Sequence, residues 1–282
     1  MRIVTTITEL KKAVAEARKN NQIVGLVPTM GALHKGHLSL VNKACAQCQF
    51  VVVSIFVNPT QFNNPDDLRT YPRTLDADTA LLSANTKADI VFAPTVEEVY
   101  PETDTRQFNF GAIAEVMEGK YRPGHFNGVA QIVSKLFKYV EPDKAFFREK
   151  DFQQLAIIRK MVADLAMNIE IVPCPIVRED DGLAVSSRNT LLTPEFRAIA
   201  PHIAATLKAS VAKMTELTPK QTIDWVVSEV NKCGGLEVEY YSIVDGLTLQ
   251  DVTSWNETDY IVGCITVYAG KVRLIDNICY KK

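Results

Sequence analysis

Short apolar runs alternate with amphipathic helical patterns through the first two thirds of this sequence, and this alternation constrains the fold more than any other feature. Residues 24–27 form an apolar run, which is followed by a helical pattern that begins near Gly36. The alternation continues with predicted strands at 50–57, 88–93, 145–147 and 169–174 and predicted helices at 74–86, 127–139 and 152–166. Such units form parallel sheets through right-handed crossovers, and ligands bind at the carboxyl ends of the strands.

The pattern changes after Pro175. Two amphipathic helical patterns, at 194–213 and 219–232, precede three strand-like runs at 236–244, 260–268 and 272–275. Helices followed by clustered strands predict a smaller α+β domain with an antiparallel sheet. The chain has 282 residues, 47% of them hydrophobic, which is enough for two cores. We therefore predict a Rossmann-like α/β domain with a parallel sheet at 1–177 and a C-terminal α+β domain at 178–282, with a hinge near 175–185.

The charge balance and the apolar runs exclude several classes of partner. The chain has 31 basic and 33 acidic residues, and this net charge of −2 argues against a nucleic-acid partner. The first residues lack the apolar segment of a signal peptide, and the longest aliphatic runs, such as 50–53, are too short to cross a bilayer. We expect a soluble cytoplasmic protein without a membrane partner.

The cysteines favour a structural role. Cys45 and Cys48 form a C-x-x-C pair, but this pair falls towards the end of a predicted helix, whereas a redox pair is typical of a helix N-terminus. None of the six cysteines has a zinc-finger spacing with His34 and His37. Metal binding by these two histidines is therefore disfavoured.

Two histidines follow the first predicted strand. In the segment 28–37, His34 and His37 flank Gly36 at the predicted start of a helix. The N–H groups of a helix N-terminus and two imidazole donors suit an anion such as phosphate, and imidazoles transfer protons near neutral pH. From these residues alone, a metal site or a purely structural turn stays open.

Polar residues also stand where other predicted strands end. Asn58 and Gln61 follow the strand at 50–57, and an Arg122-Pro-Gly-His125 segment precedes an amphipathic helix. Each could bind a ligand, through amide hydrogen bonds or by holding an anion, but a capped turn and a solvated loop are the structural alternatives.

Two further segments carry charge and hydroxyl groups. Lys150, Asp151 and Gln154 lie at a strand-to-helix junction, and Ser186-Ser187-Arg188 lies between the predicted domains. These residues could neutralise or clamp phosphate oxygens. Ordinary helix capping explains each segment as well when it is taken alone.

Taken in order, these segments resemble the pantoate–β-alanine ligase family of the nucleotidyltransferase superfamily, which also includes class I aminoacyl-tRNA synthetases. The resemblance runs from Pro28-Thr29-Met30-Gly31 through Tyr71-Pro72-Arg73-Thr74, Arg122-Pro123-Gly124-His125-Phe126 and Ser186-Ser187-Arg188-Asn189 to Arg273-Leu274-Ile275-Asp276-Asn277. It implies a cytoplasmic homodimer that condenses pantoate with β-alanine, using ATP with Mg²⁺, through a pantoyl adenylate. The products are AMP and pyrophosphate.

The resemblance also implies the site residues. His37, His34 and Lys150 are the expected catalytic residues, and Gln61, Gln154 and Asn58 are expected to bind pantoate or β-alanine. The expected ATP site consists of Met30, Gly31, Ala32, Leu33, His34, Lys35, Gly36, His37, Arg148, Glu149, Lys150, Asp151, Val177, Val185, Ser186, Ser187 and Arg188. The metal ligands stay undetermined, although Asp78 or Asp151 could help to place Mg²⁺. The C-terminal domain is expected to close over the reactive adenylate.

One position departs from the family pattern. The family usually has glycine where this chain has Arg148, and glycine there implies either close approach of the nucleotide or a backbone angle that a side chain resists. We expect activity to survive, because every polar position expected to be catalytic is retained. Two rival functions are an adenylyltransferase that leaves AMP on its product and a catalytically silent nucleotide-binding protein.

Overall fold

The computed structural model describes residues 1–282 and contains nine strands in two sheets. In chain order the strands are β1 (Arg2–Val4), β2 (Val24–Thr29), β3 (Phe50–Ile55), β4 (Ile90–Phe92), β5 (Lys144–Arg148), β6 (Glu170–Cys174), β7 (Leu236–Asp245), β8 (Ile261–Ala269) and β9 (Val272–Lys281). The helices are α1 (Ile7–Lys19), α2 (Lys35–Gln47), α3 (Pro65–Thr70), α4 (Leu75–Asn85), α5 (Val96–Val99), α6 (Met117–Tyr121), α7 (His125–Val140), α8 (Phe152–Asp164), α9 (Pro194–Ile199), α10 (Pro201–Ala212) and α11 (Pro219–Lys232).

The first sheet is parallel, with the strand order β1-β4-β3-β2-β5-β6. The direction in which successive strands are added reverses between β2 and β5. Strands β3 and β4 follow β2 towards one edge of the sheet, and β6 follows β5 towards the other. Parallel sheets bind ligands at such a switch point, outside the carboxyl ends of the strands. The second sheet is antiparallel, with the order β7-β8-β9. The predicted fold class is confirmed.

The chain forms two compact units. Unit 1 comprises residues 1–110, 122–149 and 154–175, and unit 2 comprises 111–121, 150–153 and 176–282. Segment 111–121 joins unit 2 because Arg273 donates hydrogen bonds to both carboxylate oxygens of Glu118, at 2.6 and 2.8 Å. Lys150 and Asp151 lie in unit 2, whereas the predicted boundary at 177/178 places them in the first domain.

β1 and α1 are two elements that the alternation of apolar runs does not predict. One face of α1 is buried at helical spacing through Leu10, Ala13, Val14 and Ala17. The Thr6 hydroxyl accepts a hydrogen bond from the Glu9 N–H at 3.2 Å and donates one to the Glu9 carboxylate at 2.8 Å. This Thr-x-x-Glu capping pattern is visible in the sequence and predicts a helix start there.

Other differences have physical causes. The predicted helix at 194–213 is two helices, because Pro201 has no backbone N–H and its ring obstructs the preceding turn. β9 continues to Lys281, although only 272–275 was predicted as a strand. Its middle residues Asp276 and Asn277 are polar but buried, which hides the strand pattern. The unpredicted helices α3, α5 and α6 have four to six residues and show no periodicity.

The C-x-x-C cysteines have a structural role, as expected. Cys45 lies in the last turn of α2, and Cys48 ends that helix. Burial raises the pKa of the Cys48 thiol to about 11, and the thiolate is the reactive form of cysteine. Cys48 instead packs in a core with Val27, Leu40 and Phe146.

Candidate active site

The turn between β2 and α2 contains two residues in left-handed backbone conformation. Gly31 has a φ of +83° and Ala32 has a φ of +48°. A Cβ atom at Gly31 would lie 3.1 Å from Asp78 Oδ2 and 3.2 Å from Ile55 Cγ2. The left-handed conformation costs a residue with a side chain roughly 1–2 kcal/mol. The turn therefore depends on contacts that hold Ala32 in place.

Asp78 supplies these contacts from the first turn of α4. Its side chain is buried and accepts hydrogen bonds from the N–H groups of Ala32 at 2.9 Å and Leu33 at 2.7 Å. The Thr74 hydroxyl donates a third bond at 3.2 Å. Bonds from fixed donors are what make a buried carboxylate tolerable. Both oxygens of Asp78 are thus used inside the protein, which contradicts the expectation that this residue helps to place Mg²⁺.

His34 and His37 cap α2 reciprocally. His34 is the N-cap residue, and its Nδ1 accepts a hydrogen bond from the Gly36 N–H at 3.1 Å. His37 Nδ1 accepts one from the His34 N–H at 3.3 Å. Because a backbone N–H can only donate, each Nδ1 is unprotonated, and each neutral ring carries its proton on Nε2.

The two rings lie together at the helix N-terminus, with centroids 4.0 Å apart. The first turn of α2 contains no acidic residue that would compensate the positive end of the helix dipole. Imidazole N–H donors beside a helix N-terminus are suited to a phosphate group, and of the two rings that of His34 has a buried Nε2 atom. They can stabilise negative charge that develops on phosphate oxygens during a reaction.

Asn58 and Gln61 lie in a 3-10 turn region after β3. Asn58 is buried, and its amide donates to the Gly128 carbonyl at 3.0 Å and to Gln61 Oε1 at 3.3 Å. Gln61 Nε2 contacts the Met30 sulfur at 2.8 Å, so the structure brings these two predicted site residues together. The Asn58 amide is occupied by protein groups, and its observed contacts support the turn that carries Gln61.

Tyr100 supports this turn, although no sequence motif identifies it. Its hydroxyl donates to Asn58 Oδ1 at 2.8 Å, and burial raises the pKa of Tyr100 to about 12. The phenol therefore stays protonated and donates across the physiological range. A single tyrosine beyond the end of a short helix gives no pattern by which a sequence could reveal this contact.

His125 fixes the backbone of Gln61. It is buried, and its Nδ1 lies 2.8 Å from the Gln61 carbonyl oxygen. The carbonyl can only accept, so Nδ1 carries the proton, while Nε2 accepts from Arg122 Nη1 at 3.3 Å. This tautomer is opposite to that of His34 and His37. The sequence left open a solvated loop at this position, and the burial of His125 rules that out.

Gly128 allows α7 to approach this turn closely. A Cβ atom at Gly128 would lie 2.2 Å from the Thr60 carbonyl oxygen and 2.6 Å from Gln61 Cα. Both atoms belong to the backbone, which cannot move aside as a flexible side chain can. The glycine therefore sets the distance between α7 and the Gln61 turn.

Lys150 and the adjacent glutamines Gln153 and Gln154 lie around the start of α8. Lys150 is buried, and the Asn277 amide donates to its carbonyl oxygen at 3.1 Å. Of the two adjacent glutamines, Gln153 is buried and donates to the carbonyls of Ile113 and Val116, each at 2.8 Å. Gln154 is half-buried and belongs to unit 1. Gln153 thus holds segment 111–121, and Gln154 stays the candidate for substrate binding.

The serine-rich segment begins a short 3-10 turn (Ser187–Leu191). The Ser186 hydroxyl accepts from the Arg188 N–H at 3.3 Å, and the Asn189 amide donates to the Ala184 carbonyl at 3.0 Å. Ser186 therefore caps this turn, which agrees with the structural alternative considered for the segment. Next to this segment, the Val185 N–H donates to the Val177 carbonyl at 3.0 Å, so the structure pairs these two predicted residues.

Arg148 occupies a regular strand position. It is the last residue of β5, in parallel register with Cys174 of β6, and its φ is not in the left-handed region. A backbone angle that only glycine adopts is therefore excluded as a reason for glycine here. The neighbouring Glu149 N–H also continues the pairing, donating to the Cys174 carbonyl at 2.8 Å.

No group of three or more His, Cys, Asp or Glu side chains is arranged to hold a metal ion. None of the helices has the length and apolar character needed to span a membrane.

Comparisons with known proteins agree over the whole chain. The family model described as Pantoate-beta-alanine ligase matches residues 2–279. The chain is 58% identical to the pantothenate synthetase of Porphyromonas gingivalis and 56% identical to that of Phocaeicola vulgatus, in each case over 100% of both chains. A pantothenate synthetase structure from Thermus thermophilus matches with a TM-score of 0.93 at 41% identity, covering 100% of both chains. A Francisella tularensis pantoate–β-alanine ligase, complexed with β-γ ATP and β-alanine, matches with a TM-score of 0.83 at 36% identity, covering 99% of this chain and 98% of that one.

Proposed function

This chain belongs to the pantoate–β-alanine ligase family, and we propose that it joins pantoate to β-alanine through a pantoyl adenylate. In the first step a pantoate carboxylate oxygen bonds to the α-phosphorus of ATP, the bond to the β-phosphate oxygen breaks, and pyrophosphate leaves. In the second step the amine of β-alanine attacks the acyl carbon, AMP leaves, and the amine loses a proton. The product is pantothenate.

The observation that carries this proposal is the pair of Nε2–H donors of His34 and His37 at the N-terminus of α2. Attack on the α-phosphate builds negative charge on the nonbridging and leaving oxygens. Donors that are already oriented lower this barrier because they do not reorganise during the reaction. We assign His34 and His37 to the phosphates as catalytic residues, whose Nε2–H groups donate hydrogen bonds to the developing charge.

Other residues supply charge and selectivity. We assign Lys150, Ser186, Ser187 and Arg188 to the phosphates as cationic and hydrogen-bonding groups. Gln61 and Gln154 bind pantoate through their amides. An amide is suited to this task because a lysine could attack the acyl adenylate and a carboxylate would repel pantoate. Asn58 and His125 contribute by holding the Gln61 turn.

Mg²⁺ enters this proposal as part of the substrate MgATP. Mg²⁺ keeps several of its waters and is ordinarily held by substrate phosphates with one or two carboxylates. Asp78 does not fit that role, because its two oxygens accept from Ala32, Leu33 and Thr74.

The test measures AMP and pyrophosphate with purified protein, MgATP and pantoate, with and without β-alanine. Pyrophosphate is expected with pantoate alone, up to about one equivalent per site, and continuous AMP release only when β-alanine is added. His37→Ala should lower the rate of pyrophosphate formation and the rate of AMP release by at least tenfold. Lys11→Ala, at an exposed position on α1, should leave both rates unchanged. The proposal fails if saturating substrates yield no AMP, or if AMP stays covalently attached to the product.

We also propose a cytoplasmic homodimer, as the family resemblance implies. Light scattering after size-exclusion chromatography should give about twice the chain mass of 31.4 kDa. A single-chain mass at micromolar concentration would contradict the dimer. Fractionation of the source cells would test the compartment.

A further inference from the structure

Arg178 and Asp276 form a shielded ion pair within unit 2. Arg178 Nη1 lies 2.7 Å from Asp276 Oδ2, and Nη2 lies 3.0 Å from Oδ1, so the contact is bidentate. The Asp276 side chain is 5% exposed and the Arg178 side chain is 30% exposed, so the carboxylate is shielded while the guanidinium is partly accessible. The Lys220–Asp224 pair of the same unit has side chains that are 77% and 63% exposed, and therefore interacts through solvent-screened charges.

Arg178 also holds the start of the segment that leads to the serines. Its Nη1 donates to the Gly182 carbonyl at 3.1 Å, which closes the turn between Arg178 and Ala184. Ser186 follows this turn by two residues. The guanidinium therefore ties the 178–184 turn directly to the Asp276 side chain on β9.

Asn277, the next residue of β9, holds a different segment. Its amide donates to the Lys150 carbonyl at 3.1 Å, and the bond is buried. Two consecutive residues of β9 thus contact two distant segments that both carry proposed phosphate-binding groups. In sequence these segments are separated from β9 by about a hundred residues or more, so neither contact is local.

A small cavity lies among these segments. It has a volume of about 10 Å³, and its lining includes Lys150, Ser186, Asn189 and Asp276. That volume corresponds to roughly one water molecule. Residues of all three segments therefore line one common space.

We propose that Arg178, Asp276 and Asn277 are positioning residues, which hold Lys150 and the Ser186–Arg188 segment in their phosphate-binding arrangement before ATP arrives. This inference rests on the proposed function, because it assumes that Lys150 and these serines bind ATP phosphates. Holding the groups in advance lowers the entropy that is lost when ATP binds. None of the three residues needs to touch the nucleotide.

The test measures the dissociation constant of MgATP by calorimetry without pantoate, so that no reaction occurs. Asn277→Ala removes the bond to Lys150 and leaves the ion pair intact, and Asp276→Asn removes the ion pair. Both should weaken MgATP binding at least fivefold. Arg178→Lys keeps the charge but loses the bidentate contact. Its dissociation constant for MgATP should lie between those of these two variants and that of the wild type. The matched control is Asp224→Asn, at the exposed Lys220–Asp224 pair on α11.

A merely structural role would affect the binding of all substrates together. The KM for β-alanine should therefore stay within twofold in Asn277→Ala, measured at a temperature where this variant is folded, although the loss of a buried hydrogen bond lowers its unfolding midpoint. Asn277→Ala decides the outcome even if Asp276→Asn fails to fold. The inference is overturned if Asn277→Ala binds MgATP as tightly as Asp224→Asn.

Lys150→Met separates this inference from the proposed function. The substitution removes the ammonium group but retains the backbone carbonyl that Asn277 contacts. If Lys150→Met binds MgATP like the wild type, the proposed role of Lys150 is wrong. If Lys150→Met weakens binding and Asn277→Ala does not, the proposed function stands and the positioning role is wrong.

Discussion

The carboxylate of Asp78 accepts a hydrogen bond from the backbone N–H of Leu33 at 2.7 Å. The residue after Leu33 is His34, the N-cap of α2. Asp78, which is 45 positions from Leu33 in the sequence, therefore holds the backbone from which the histidine pair projects. A buried acidic residue near a proposed ATP site would suggest a metal ligand. Here the carboxylate stabilises a turn whose backbone includes the left-handed Ala32.

Asp78→Asn tests this support. The change keeps the shape but points an amide NH₂ at one of the two backbone N–H groups. A buried N–H without an acceptor costs about 1–3 kcal/mol of unfolding free energy, and we expect kcat to fall at least tenfold as the turn relaxes. The control is Asp76→Asn, an exposed position in the same helix. Equal kcat values for the two variants would show that the turn does not need Asp78.

The histidine tautomers are directly observable. The chain has four histidines, and His202 Nε2 lies 3.0 Å from the Glu229 carbonyl, so it also carries its proton on Nε2. Long-range ¹H–¹⁵N spectra at about pH 8, where imidazole is mostly neutral, should show Nδ1–H for His125 and Nε2–H for the other three. An Nδ1–H signal from His34 or His37 would contradict the capping geometry.

Gly128→Ala should separate α7 from the Gln61 turn. The new Cβ atom would lie 2.2 Å from a backbone oxygen, and such overpacking costs about 1–3 kcal/mol of unfolding free energy. Because Gln61 is displaced, we expect a higher KM for pantoate as well. Gly234→Ala is the matched control, since a Cβ there has no heavy atom within 4 Å. The two alanine variants are compared by urea denaturation and initial rates, and the idea is wrong if they behave alike.

Arg148→Gly tests the position that departs from the family pattern. Because Arg148 lies in a regular strand, its backbone needs no glycine, and we expect the KM for ATP to change less than tenfold, about 1.4 kcal/mol. Glycine in a strand should also lower stability by roughly 0.5–1 kcal/mol. A KM that drops by more than tenfold would mean that the arginine obstructs the nucleotide.

Asp104 gives a prediction for acid stability. Its hydrogen bond from Arg106, at 2.6 Å, lowers the pKa of Asp104 to about 2. A folded-state pKa below the unfolded value of 3.8 means that this stabilisation is present above pH 4 and is lost as pH falls towards 2. Because the Arg106 side chain is partly exposed, we expect the pair to contribute only about 1 kcal/mol to the free energy of unfolding. Urea titrations of Asp104→Asn and wild type should differ at pH 6 and converge near pH 2, and a constant difference would contradict this assignment.

Much of the fold could be predicted because hydrophobic periodicity is a local signal. Apart from β1 and α1, the main strands and helices of the parallel sheet, and the antiparallel sheet that follows, are indicated by the order of apolar runs. The Thr6-x-x-Glu9 pattern is a signal for α1 that the prediction did not use, whereas other unpredicted features have no such signal. The buried Asp276 and Asn277 interrupt the apolar pattern of β9, and helices of one turn show no period.

The site was only partly predictable, because residue type does not reveal the partner. Asn58 and Gln61 are both predicted to bind substrate. The structure adds that the Asn58 amide donates to the Gly128 carbonyl and to Gln61 Oε1, which no sequence pattern indicates. Gln153 and Gln154 are identical neighbours, and the structure alone shows that Gln153 is bound to the carbonyls of Ile113 and Val116. Such contacts join residues that are tens of positions apart.

The sequence by itself determined the strand–helix alternation, the change to an antiparallel sheet, and the motif blocks that carry the family. Local periodicity and residue type suffice for these, because they depend on neighbouring positions. Only the tertiary structure decided which nitrogen of each histidine carries the proton, that Asp78 supports a turn, and that Lys150 packs with unit 2. Those outcomes depend on donors and acceptors that folding brings together from distant segments, and a buried polar group takes its role from the partner that satisfies it.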